Sequence, residues 1–167
     1  MKPFLAQLPE ILLKEIELGR AAVVGGAIRC SFEGKPSRDI DVFIFDKDNH
    51  QRLVKFLKAQ PKEKSNGHVF ILNEQTPIEL VCLPGWNSPE VCLAKADFNV
   101  AAGVYSKGRY FLPKGYAKAV KNKNLRFSGS TDDPQASYDR FIKYNRKYGY
   151  VIDESINALL LLWQQRS

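Results

Sequence analysis

The stretch from Ala22 to Phe45, AVVGGAIRCSFEGKPSRDIDVFIF, leaves the chain few local ways to fold. Ala22, Val23 and Val24 form a short apolar run that stops at Gly25-Gly26. A turn of helix-compatible sequence carrying Arg29 follows, then a breaker-rich loop of Gly34, Lys35, Pro36 and Ser37. A second strand, Ile40 to Phe45, opens with Asp39 and Asp41. Side chains two apart in a strand point to the same face. Asp39 and Asp41 therefore stand side by side, while Ile40 and Val42 face apolar material.

Two carboxylates held together repel each other. A divalent cation with oxygen ligands removes that conflict, and Mg2+ typically takes one or two carboxylates plus substrate phosphates. Glycines let backbone approach a ligand closely, and amides at a following helix N-terminus favour anions. An Asp-x-Asp alone reads as two solvated aspartates at a strand start, and a Gly-Gly alone as a strand-to-helix turn. Together, in strand-turn-helix-loop-strand order, they describe a phosphate cradle beside a carboxylate pair. That is a layout for metal-assisted phosphoryl or nucleotidyl transfer.

Length sets the scale: 167 residues make one domain, or one domain with a small appendage. Hydrophobic content of 44% suffices for a real core. No run reaches the length of a membrane span, and Glu10, Glu15 and Glu17 sit where a secretory signal would need an apolar core. Cys30, Cys82 and Cys92 have no C-x-x-C spacing and read as reduced, partly buried thiols in a cytoplasmic protein. His50 and His68 have no ligand-spaced partner, which argues against zinc.

The net charge of +7 is unevenly spread. Residues 1–90 hold 12 basic and 12 acidic side chains, so the whole excess lies in the second half. Residues 98–131 contain no acidic side chain but carry Lys107, Arg109, Lys114, Lys118, Lys121, Lys123 and Arg126. This fits either a polyanion partner such as RNA or an exposed, solubilising loop.

The chain order predicts an α+β fold: a small mixed sheet of about five strands flanked by helices. A first helix places Leu5, Leu8, Leu12 and Ile16 on one face, starting near Pro9 and ending at Gly19. A helix over 49–59 has Asn49 as its cap and Leu53, Phe56 and Leu57 inward. Ser65-Asn66-Gly67 reads as a turn before consecutive strands over His68–Asn73 and Pro77–Leu83. Gly108–Tyr116 reads as a strand and a turn, and GYAKAVKNKNLRF as a helical run. Further on, Phe141, Tyr144 and Tyr148 share one helical face and Arg140, Lys143 and Lys147 an adjacent one, with Gly149 closing the helix. The aromatic stripe reads as core; the basic stripe fits a solvated face or a contact to triphosphate and RNA. A last helix covers Glu154–Gln165.

The segment GGAIRCSFEGKPSRDIDVFIF resembles the head-domain signature of class II tRNA nucleotidyltransferases and bacterial poly(A) polymerases, within the polymerase-beta-like nucleotidyltransferase superfamily. Residue types, order and spacing agree together. The resemblance implies a nucleotidyltransferase head over residues 1–126 and a helical neck over 127–167, packed on it. It implies that Asp39 and Asp41 are catalytic and hold two Mg2+ ions, with Glu79 of the strand PIELVCL as a possible third metal-site carboxylate or an edge-facing surface residue. Gly25, Gly26, Arg29 and Arg38 would meet the triphosphate of an NTP. KADFNVAAGVY resembles a motif that contacts the nucleotide's sugar and phosphates; Asp97 and Phe98 match it, while Ala96 and Ala101 replace an Arg and an Asn. The closing segment resembles the neck motif through Arg140, Lys143, Tyr144, Gly149, Tyr150 and Ile152-Asp153. There Ala136 and Ser137 stand where a base-reading Arg is wanted. The expected activity is transfer of an NMP from an NTP to an acceptor hydroxyl, with an RNA 3′ end favoured and a partner protein able to supply the missing RNA-holding body. Two other outcomes stay open: a catalytically idle nucleotide- or RNA-binding protein, and an enzyme that nucleotidylates a protein side chain.

Overall fold

The computed structural model describes residues 2–61, 67–70 and 76–165. Expectations for the turn at Ser65-Asn66 and for the strand beyond Phe70 lie outside the described residues.

Each element forms where local chemistry allows it. A single 3₁₀ turn (Leu5–Gln7) precedes α1 (Glu10–Glu17), whose N-cap is Pro9. Leu8, Leu12 and Ile16 are buried on the expected face. Then come β1 (Ala21–Val24), α2 (Gly26–Phe32) and β2 (Ile40–Ile44), as the Gly-Gly break and the loop dictate. Helix α3 covers Lys47–Leu57 and starts earlier than expected, because the cap is Asp46: its side chain accepts the Asn49 N–H at 2.7 Å. His50 and Leu53 are buried on α3, but Phe56 is 66% exposed. Phe56 falls outside the arc that His50, Leu53, Val54 and Leu57 bury against the sheet.

The remaining elements are β3 (Gln60–Pro61), β4 (Gly67–Phe70), β5 (Ile78–Val81), α4 (Pro89–Ala94), β6 (Val104–Ser106), β7 (Arg109–Phe111), α5 (Tyr116–Lys121), β8 (Asn124–Leu125), α6 (Pro134–Tyr148), β9 (Val151–Ile152) and α7 (Ile156–Gln164). The main sheet has seven strands in the order β3-β4-β5-β2-β1-β6-β7, two more than expected. One addition is the two-residue β3. The other is β6, which pairs with β7 through a turn at Lys107 (φ 50°) and Gly108 (φ 73°). Two positive φ values are what a two-residue hairpin turn matched to strand twist requires. Only β2 and β5 run parallel; the other neighbours in this sheet are antiparallel. The helical run after Gly115 is also shorter than expected. It stops at Lys121, Lys123 takes φ 55°, and Asn124–Leu125 pairs with β9 instead.

One face of the sheet carries the main core, built from Leu12, Ile28, Ile40, Val42, Ile44, Leu53 and Leu80. Phe98, Leu125, Phe127, Tyr144, Tyr150 and Leu159 continue the same cluster, so α6 and α7 pack on it directly. The opposite face holds a smaller cluster of Ala22, Val24, Cys92 and Val104, with Phe43, Trp86 and Phe111 against it. Truncating Leu159, which is fully buried, leaves a cavity that costs about 2–5 kcal/mol. Leu159→Ala is expected to lower the denaturant midpoint by that amount in one cooperative transition, and a separate early transition of the last two helices would contradict the shared core.

Candidate active site

The site starts at the end of β1. Gly25 has φ 71° and ψ −116°, a conformation that L side chains rarely adopt, and its N–H donates to the Gly103 carbonyl at 2.8 Å. The chain turns there into α2. A Cβ added to Gly26 would meet nothing within 4 Å, so the protein's own packing does not demand glycine at this position.

Strand β2 supplies the carboxylates. Ile40, Val42 and Ile44 are fully buried in the core, so Asp41 and Phe43 take the other face. Asp41 lies directly opposite Val24 on β1 and Glu79 on β5. Phe43 lies opposite Ala22 and Val81 in the next row. Asp39 precedes the strand, exposed, with its carbonyl accepting the Ser37 hydroxyl at 2.6 Å. Glu79 is 8% exposed, which settles one alternative left by the sequence: it is not a surface edge residue.

These residues line a cleft of about 980 Å³. Gly25, Gly26, Arg29, Arg38, Asp39, Asp41, Glu79, Asp97, Arg140 and Lys143 all border it, so the three separate motifs converge on one place. The pairing inside the cleft differs from that expected. Arg29 is buried, donates to Glu33 at 3.1 Å, and lies 4.5 Å from the Tyr148 ring centroid. Asp97 is also buried; its Oδ2 accepts hydrogen bonds from Arg140 and, at 2.8 Å, from the Ser137 hydroxyl. Lys143 and Lys147 are exposed on α6 at the cleft wall. Two buried polar atoms at the cleft residues lack a hydrogen-bond partner, Arg29 Nε and Asp97 Oδ1.

Glu33 is a residue that motif reading passed over. It stands one helical turn after Arg29 and gathers Arg29, Lys123 (2.5 Å) and the Tyr150 hydroxyl (2.7 Å). Burial by itself would push its carboxyl up; the hydrogen bonds from Lys123 and Tyr150 and the charge of Arg29 outweigh that and hold it at about 2. Burial likewise opposes the Arg29 charge, but Cys30, Tyr144 and Glu33 more than offset it and keep the guanidinium firmly protonated. Arginine spaced four residues before glutamate on a helix was the available signal.

The basic residues of the second half scatter. Lys107 and Arg109 sit on the β6–β7 hairpin, and Lys114, Lys118 and Lys121 are exposed around α5. Arg126 pairs with Asp153 at 2.9 Å. Of this group, Lys123 borders the cleft. Among the described residues no group of three or more His, Cys, Asp or Glu forms a ready-made metal cage, and no helix is long and apolar enough to cross a membrane. The three cysteines are free thiols, with Cys92 pushed up to about 12 by burial.

A family match covers residues 2–123 and is described as Gabija anti-defense 2. The chain belongs to the Gabija anti-defense 2 family. No curated protein matches it. Among solved structures, the family member resembles a CCA-adding enzyme complexed with ATP, with TM-score 0.67 and 18% identity over 99% of this chain and 47% of the other. It also resembles the Thermotoga maritima CCA-adding enzyme complexed with tRNA, with TM-score 0.64 and 17% identity over 99% and 46% of the two chains. A tRNA nucleotidyltransferase complexed with a primer tRNA and an ATP analogue matches with TM-score 0.63 and 18% identity over 93% and 50%. The chain thus spans about half the length of the solved structures it matches. At these identities the likeness is one of fold: the family member has a nucleotidyltransferase scaffold.

The Glu33 cluster makes a pH signature. A carboxyl whose folded value lies below its ordinary 4.5 stabilises the fold fully above pH 4.5, and this contribution is lost as pH falls towards about 2. The stability difference between the wild type and Glu33→Gln is therefore expected to be constant above pH 4.5 and to shrink steadily below it. Denaturant unfolding across that range measures it; a pH-independent difference would mean that Glu33 carries no such charge-linked role.

Proposed function

We propose that the cleft is the active site of a metal-dependent nucleotidyltransferase that moves an NMP from an NTP to an acceptor hydroxyl, with an RNA 3′ end as acceptor. The observation that carries this reading is one row across the sheet, Val24, Asp41 and Glu79, flanked by Asp39 and followed directly by the Gly25-Gly26 turn. The donor type suits Mg2+: hard carboxylate oxygens of Asp39, Asp41 and Glu79 border an open cleft with room for substrate phosphates, which would complete a coordination shell that the three do not form by themselves. Asp39 and Asp41 would hold two such ions, with Glu79 as the third carboxylate. Bound there, the metal supplies charge neutralisation for the triphosphate and acidifies the acceptor hydroxyl.

The chain's own residues do the positioning. The Gly25-Gly26 backbone lets phosphates approach where a side chain would intrude. Arg29, Arg38, Lys143 and Lys147 offset the phosphate charge, and Arg29 is held in place by Glu33 and Tyr148. Asp97 and Arg140 form the opposite wall, where a nucleotide's sugar would satisfy the orphaned Asp97 oxygen. The acceptor oxygen forms a bond to the α-phosphorus, the bond from that phosphorus to the bridging oxygen breaks, and pyrophosphate leaves. The hydroxyl proton passes to the Asp39/Asp41 pair and on to water. We place this transfer in the counter-defence role that the family's description names.

A second reading, nucleotide binding without transfer, draws support from Ser137, which is buried against Asp97 at the position where the related neck motif wants a base-reading arginine. Incubation with each α-labelled NTP, Mg2+ and total RNA separates the two. Wild type is expected to label RNA, and Asp41→Asn to lose at least about a hundredfold in rate with unchanged circular dichroism. Full activity in Asp41→Asn sinks the proposal, and Mg2+-dependent NTP binding without pyrophosphate release favours the second reading.

A further inference from the structure

The cleft is polarised along the strands, and one end has no part in the chemistry above. Strand β1 runs antiparallel to β2, so Gly25-Gly26 and Asp39 lie at the same end of the sheet. Asp41 and Glu79 form the next row. About 7 Å further along, two residues per row, come Phe43 and Val81. Trp86 covers this row: its ring centroid is 5.2 Å from that of Phe43, tilted by 32°, and it borders the cleft.

Trp86 is held there by its own sequence. Leu83-Pro84-Gly85-Trp86 closes a turn in which the Trp86 N–H donates to the Leu83 carbonyl at 3.1 Å and Gly85 has φ 76°. Proline second and a positive-φ glycine third are the requirements of a type II turn. The following Ser88 caps α4 through the Val91 N–H at 3.2 Å, which fixes the other side of the loop. An indole that is only partly buried is thus fixed on the cleft wall beside the carboxylates, with the Lys95 ammonium 5.8 Å from its ring centroid and 3.5 Å from the exposed Asp132 carboxylate, a solvent-facing pair that a phosphate can displace.

We infer that Trp86, backed by Phe43, is the stacking platform for the terminal base of a single-stranded nucleic-acid acceptor, with Lys95 beside its phosphate. The inference rests on the proposed transfer. In-line displacement puts the attacking hydroxyl and the departing pyrophosphate on opposite sides of the α-phosphorus. The triphosphate belongs to the Gly25-Gly26 end, so the acceptor must arrive from the Phe43 end. What waits there is a flat aromatic ring and a cation, which suits a base and its phosphate. A protein acceptor would bring a hydroxyl on an irregular surface, for which a ring plus one lysine is a poor match.

The test needs a readout that does not depend on turnover. The chain has two tryptophans, Trp86 and Trp163. In a Trp163→Phe background, fluorescence reports Trp86 alone. A single-stranded oligoribonucleotide of about eight residues with a free 3′ hydroxyl is expected to quench it saturably. Trp86→Ala is expected to weaken binding of the same probe about tenfold by anisotropy, with ATP affinity unchanged, and Trp86→Phe to restore most of it. In the labelling assay Trp86→Ala raises the acceptor KM and leaves the NTP KM alone. Circular dichroism checks that each variant folds. Absence of quenching, or equal oligonucleotide affinity in Trp86→Ala and wild type, overturns the inference, as does label that enters a protein. Quenching without any transfer by the wild type retains the platform and removes the transferase reading, so the two fail separately.

Discussion

The cleft depends on the alternation of a single strand. Strand β2 is central in the sheet and fully buried at Ile40, Val42 and Ile44. Three apolar side chains sealed in the core fix which way the two between them must point. A register slip of one residue would bury Asp41 and expose the isoleucines, at a cost no small domain could absorb. The hydrophobic core therefore holds the carboxylates in place. Asp41 and Phe43 are the unavoidable counterpart of a well-packed opposite face.

Neighbouring strands turn that alternation into a site. Antiparallel β1 ends beside Asp41 and delivers the glycine turn; parallel β5 brings Glu79 level with Asp41. Glu79, 8% exposed, thereby borders the cleft level with Asp41. On the far wall α6 does the opposite, presenting Arg140, Lys143 and Lys147. The cleft thus has acidic and basic walls facing a shared volume.

Glu33 ties these walls together. It caps the end of α2, yet it holds Lys123 from the loop after α5 and Tyr150 from just beyond the long helix. Arg29 is locked between this carboxylate and the Tyr148 ring. Such a network, with charged hydrogen bonds in a half-buried setting, holds its members in place. It keeps the helix that follows the glycine turn and the helix that carries the basic stripe in fixed relation.

Much of this was legible in the chain. The Gly-Gly break, the Asp-x-Asp spacing, Pro134 and Gly149 at the ends of α6, and the Leu8, Leu12 and Ile16 face are local patterns, and local patterns set local structure. The sequence by itself determined the buried face of α1, where α1 and α6 begin and end, and that a carboxylate pair adjoins a glycine turn. Only the tertiary structure decided that Glu79 lies level with Asp41, that Lys123 and Tyr150 meet at Glu33, and that Trp86 closes the far end of the carboxylate rows. Those contacts join segments distant along the chain. Their register follows from how the two sheet faces pack, a property of the whole core that no single window of residues contains.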